Sequence, residues 1–197
     1  FKLMPADFIV VVDCSSDVCA SDLLAFEDLW PELGDFEFND AVVIFHYEMI
    51  TNSQNALKDM RDKHKGIAAG ASLNNGFAVS IPFNPSKVAS ITGNMLVGDA
   101  LSFDANGTES GHNNETVVVV LDAIGTAYGT FFNTLPDKEF VETDTIKVNM
   151  ILATAESNFG SAPFNPFIFV DQERAKEVHM IDNVPTGLVD PSYFGEW

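Results

Sequence analysis

The sequence predicts an all-β fold, a single antiparallel β-sandwich of jelly-roll-like type, on three observations. Apolar and polar residues alternate with a period of two in several short runs, β-branched and aromatic residues fill those runs, and Gly, Asn, Asp and Pro separate them. Helical periodicity is scarce. A chain of 197 residues, 46% of them hydrophobic, suits one domain with one substantial core.

Strands are expected over residues 36–50, 66–71, 77–82, 88–92, 116–123, 143–153, 167–170 and 176–181. The first begins with Phe36 and Phe38 alternating with Asp35, Glu37 and Asn39. Residues 55–65 have the propensity of a short helix. Residues 104–115 are nearly all turn formers and polar groups, which predicts an exposed, solvated loop rather than a second cation site. Thr116-Val117-Val118-Val119-Val120-Leu121 is continuously apolar and reads as a central strand covered on both faces. In 143–153, Thr145, Lys147 and Asn149 face water while Ile146, Val148 and Met150 face inward. Pro163-Phe164-Asn165-Pro166-Phe167 reads as a rigid corner whose rings fill the core.

Charge narrows the function. Ten Lys and Arg against 29 Asp and Glu leave a formal charge of -19, which repels polyanions and so excludes nucleic acid as a partner. No apolar run approaches the roughly 18–20 residues that span a bilayer. Residues 3–57 carry eleven carboxylates and no Lys or Arg, so neutralisation there must come from solvent or from a bound cation.

Six of those carboxylates fall within residues 24–40. Gly34 permits a tight entry turn, and in an extended chain Asp35, Glu37 and Asn39 share one face. Asp40 follows, and Glu27 and Asp28 can fold back to complete a shell. Carboxylates crowded together repel one another unless a cation sits among them, and Ca²⁺ accepts about six to eight oxygens in irregular geometry. The spacing is not that of an EF-hand. A solvated acidic edge that discourages sheet-to-sheet pairing is the plain alternative.

His46, His64, His112 and His179 show no zinc spacing, and there is no nucleophile elbow or phosphate-binding Gly loop. His179, alternating with Glu177, is a weak candidate for ligand contact. Cys14 and Cys19 are too few for a disulfide framework and sit in a near-repeat. Residues 1–23 therefore read as an unrelated leader or a translated sequencing-adapter artefact, with the domain proper running over 24–197.

Several separated motifs occur in order: Ala25-Phe26-Glu27-Asp28-Leu29-Trp30-Pro31, Gly34-Asp35-Phe36-Glu37-Phe38-Asn39-Asp40, Gly70-Ala71, Asn75-Gly76-Phe77, Pro163-Phe164-Asn165-Pro166-Phe167-Ile168, Glu177-Val178-His179-Met180 and Pro185-Thr186. Together they resemble the LruC domain, a family of secreted and surface-attached bacterial proteins. Glu37 departs from that pattern, which has Asp there. The resemblance implies a β-sandwich, export to the cell surface or beyond, a strand rather than a helix over 55–65, and further C-terminal strands beyond this chain. The resulting expectation is a non-catalytic, Ca²⁺-binding adhesion or recognition module. Its metal residues would be Glu27, Asp28, Asp35, Glu37, Asn39 and Asp40, and its partner a glycan or peptide on a neighbouring surface. The alternatives are a spacer or assembly domain that contacts the rest of its parent protein, and a calcium-supported glycan-active enzyme.

Overall fold

A computed structural model describes residues 19–29, 34–35 and 37–194. Among the described residues nine strands form two antiparallel sheets: β1 (Cys19–Phe26), β2 (Ala41–Thr51), β3 (Leu57–Ala68), β4 (Gly76–Ile81), β5 (Val88–Thr92), β6 (Thr116–Leu121), β7 (Ile146–Glu156), β8 (Asn165–Phe169) and β9 (Glu177–His179). The larger sheet runs β1-β2-β3-β7-β5 and the smaller β6-β4-β8-β9. A short α-helix, α1 (Ile124–Tyr128), follows β6. No helix among the described residues is long and apolar enough to cross a membrane.

Period-two alternation builds the core between the sheets. Leu24 and Phe26 of β1, Val43, Phe45 and Tyr47 of β2, and Ile146, Val148 and Met150 of β7 pack against Phe77, Val79, Ile81, Val118 and Ile168 of the smaller sheet. On β7, Lys147 is exposed and Asn149 half-buried, as the alternation requires. Residues 57–65 are strand despite their helical propensity. Met60, Asp62 and His64 point inward there while Lys58, Arg61 and Lys63 point out.

Three sequence expectations are corrected. The run from Phe36 is not a strand at its start: among the described residues Phe38 has φ 50°, and β2 begins at Ala41. β6 is covered on both faces but lies at the edge of its sheet, not its centre. Its inner face joins the main core. Val117 and Val119 instead form a second cluster with Ala78, Phe167 and Phe169, roofed by Leu101 and Phe103. The loop over 104–115 is not simply solvated either, because Thr108, Glu109 and His112 are buried.

The boundary set after residue 23 falls inside β1, which pairs with β2 from Cys19↔Glu48 to Phe26↔Ala41. Residues 1–18, with Cys14, and Trp30 lie outside the described residues.

Candidate metal centre and a buried charge relay

The β1–β2 ladder brings the acidic residues together. Phe26 and Ala41 are its last pair, and the Asp40 amide donates to the Phe26 carbonyl at 3.2 Å, so Glu27 and Asp28 leave β1 beside Asp40 as it enters β2. Ligand oxygens of Glu27, Asp28 and Asp40 all lie within 4.8 Å of one another. All three residues are buried, at 5%, 4% and 8% exposure.

The carboxylates contact one another and the chain around them: Glu27 shares a side-chain hydrogen bond with Asp40 and takes one from the Leu29 backbone. Asp40 Oδ2 accepts the Asp28 amide at 2.9 Å, and Asp28 Oδ2 accepts the Asn75 side-chain amide at 2.8 Å. Glu27 Oε2 is buried without a hydrogen-bond partner. Among the described residues no Lys, Arg or His forms an ion pair with any of the three, although Lys176 acts on Asp28 from a distance. Burial, with the Asp40 carboxyl alongside, pushes the Glu27 carboxyl from its ordinary 4.5 up to about 7. Burial also raises Asp28, against the opposing hydrogen bond from Asn75.

Two glycines allow the backbone to close over this group. A Cβ at Gly34 would stand 2.4 Å from Glu27 Oε1, and one at Gly70 1.9 Å from Asn39 Oδ1. A side chain at either place would force the Glu27 or Asn39 side chain to shift.

Asp35, Glu37 and Asn39 are not brought into the centre. Asp35 and Glu37 are exposed, Asp35 Oδ1 accepts the Glu37 amide at 3.2 Å, and Glu37 Oε2 accepts the Asn39 side-chain amide at 3.0 Å. The shared face expected for them needs an extended backbone, which the positive φ at Phe38 interrupts. Asn75 is the residue that sequence reasoning missed. It is 1% exposed, holds Asp28, and accepts the Asp171 amide at 3.2 Å, so it fastens the acidic group to the start of β4. Its signal was its place beside Gly76-Phe77 in a motif read only for resemblance.

A second charged group lies on the outer face of the smaller sheet. Arg174 bridges Glu109 and Glu177 and sits over the Phe167 ring, 5.1 Å from its centroid. His112 joins Glu109 (2.9 Å) to Glu115 (3.2 Å). His179, stacked on Phe167 at 4.7 Å, joins Glu177 (2.7 Å) to Asn165 (2.7 Å). Both ring nitrogens of His179 are therefore engaged within the protein, which accounts for the residue without an outside ligand. Burial disfavours charge on His112, but its bonds to Glu109 and Glu115 prevail and raise it to about 9. Burial likewise opposes charge on Glu177, yet His179, Arg174 and Thr186 hold it down to about 2.

Residues 55–197 match the model of a family described as a domain of unknown function (DUF4842). The chain belongs to that family. The DUF4842 match includes Asn75 and the whole charge relay, while Glu27, Asp28 and Asp40 precede it. No match is found among curated proteins or among solved structures.

Proposed function

We propose that this DUF4842 protein is a non-catalytic recognition module, exported like the LruC proteins it resembles, in which Ca²⁺ held by Glu27, Asp28 and Asp40 stiffens the sandwich. The observation that carries the reading is the buried carboxylate trio with an unpartnered oxygen and, among the described residues, no base paired to it. Two ionised carboxylates within 4.8 Å repel by about 3 kcal/mol at an effective dielectric of about 20. Three such pairs, on the order of 10 kcal/mol, rival the whole net stability of a domain. Either a proton or a cation must relieve this, and above pH 7 the proton on Glu27 is gone.

The donor set suits a hard cation, since it is all oxygen. Such an ion would tie the β1–β2 end of one sheet, through Asp28 and Asn75, to β4 of the other. Burial of all three ligands favours an ion that stabilises rather than one that bridges to a partner. The spacer or assembly reading shares this ion and differs only in having no outside ligand.

Thermal melts in calcium and in chelator test the proposal. Calcium at 100 times its dissociation constant adds about 2.7 kcal/mol, or roughly 5–11 °C for a domain of this size. Asp40→Asn should abolish the shift. Equal melting points for the wild type in both conditions would remove the ion from the account.

A further inference from the structure

The charge relay has two ends, and both open into one cleft. From Glu115 the contacts run through His112, Glu109, Arg174, Glu177 and His179 to Asn165. Glu115 and Asn165 line the same depression of about 450 Å³, with Ser80, Asn114, Phe164 and Asp182 among the other walls. That volume falls within the range of about 300–1,000 Å³ usual for small-ligand sites.

We infer that this cleft is a preorganised binding site for a neutral sugar ring. It specifies the ligand of the recognition module proposed above, and three features carry it. Two of its polar side chains, Glu115 and Asn165, are fixed before any ligand arrives. Glu115 is held by His112, by the Ser80 hydroxyl at 3.0 Å and by the Gly187 amide at 2.9 Å, and Asn165 is held by His179 and by the Val184 carbonyl at 2.8 Å. No part of that ordering has to be lost to entropy on binding.

The lining also selects by charge. It contains two carboxylates, three side-chain amides and two hydroxyls, and no Lys, Arg or His. Anionic groups are repelled, while hydroxyl groups that donate and accept at once match the mixture of carboxylate and amide. Finally, the cleft has apolar surface for the C–H face of a sugar. Phe164 lines it, with its plane set by edge-to-face packing on Tyr47 at 5.4 Å, and Val184 stands beside it, 73% exposed.

The test is a glycan array probed with the purified chain, in calcium and in chelator, followed by titration calorimetry with the best neutral oligosaccharide. Neutral glycans should be retained and sialylated or sulfated ones excluded. Asn114→Ala should weaken binding at least tenfold, and Ser161→Trp, which fills the cleft from an exposed position, should abolish it without lowering the melting point. Glu115→Gln should behave like Asn114→Ala if it folds, and the two exposed positions decide the matter if it does not. Retention of no neutral glycan, equal retention of anionic ones, capture of Lys- or Arg-rich peptides instead, or indifference to Ser161→Trp would each overturn the inference. A calcium-dependent melt without glycan binding would sink the cleft alone. Glycan binding in a chain whose melt ignores calcium would sink the ion alone.

Discussion

Calcium binding should expel a proton from Glu27, and the amount follows from the geometry. With its carboxyl at about 7, Glu27 carries about 0.9 proton at pH 6, about 0.5 at pH 7 and about 0.1 at pH 8. A cation among Glu27, Asp28 and Asp40 requires the ionised form, so those fractions are what each bound ion should release. The apparent affinity should therefore weaken about tenfold, or about 1.4 kcal/mol, between pH 8 and pH 6. Titration calorimetry in two buffers of different ionisation enthalpy reads the release directly. Glu27→Gln should abolish both the proton release and the pH dependence. Without calcium it should be no less stable than the wild type at pH 8, because it removes one of three mutually repelling charges. Calcium binding at pH 6 with the same heat in both buffers would refute this reasoning, since Glu27 would then not touch the ion.

The same carboxyl sets the pH response of the ion-free protein. A raised folded value means that Glu27 is neutral at no cost below pH 4.5, so stability in chelator should fall as pH climbs from 4.5 to 7, and calcium should flatten that slope in urea titrations. His112 acts in the same direction at higher pH, because its folded value is raised too. Its contribution, on the order of 3 kcal/mol, is complete below pH 6.5 and fades as pH rises through 9, and His112→Gln should remove that alkaline loss. Arg174→Met should cost about 3–5 kcal/mol in urea melts by leaving Glu109 and Glu177 buried without their shared cation, and a cost under 1 kcal/mol would show the relay to be loosely held. Asp62 is 3% exposed in the core, with one oxygen unpartnered, and burial keeps it protonated well above the usual carboxylate range. Asp62→Asn should therefore stabilise the protein at pH 8 and leave it unchanged near pH 3, as measured by the difference in melting temperature.

β7 could be read because its alternation reports burial directly, residue by residue. β5 does not alternate, since a register shift leaves Val88 and Ile91 as its buried residues. β6 was read as central because a continuous apolar run says only that both faces are covered, not by what. Here the outer cover is Leu101 and Phe103, a loop whose docking no local pattern encodes. The start of β2 was misjudged because Phe36 and Phe38 have strand propensity, while the backbone there turns so that Asn39 can accept the Gly70 amide at 2.7 Å.

The candidate centre was half legible for a related reason. Crowded acidic residues without bases marked the region, but which of them meet depends on strand pairing, and only Glu27, Asp28 and Asp40 flank the β1–β2 ladder. Of the relay only the Glu177–His179 pair was legible, being two residues apart on one strand. Glu109 and Arg174 are 65 residues apart, and the polar composition around Glu109 concealed that its partner would come from beyond β8.

The most direct test is a crystal of the chain grown in millimolar calcium, with an anomalous difference map. The account predicts one ion, about 2.3–2.6 Å from oxygens of Glu27, Asp28 and Asp40. A map without that peak, with the three carboxyl groups turned to a basic side chain or to one another through a shared proton, would contradict it.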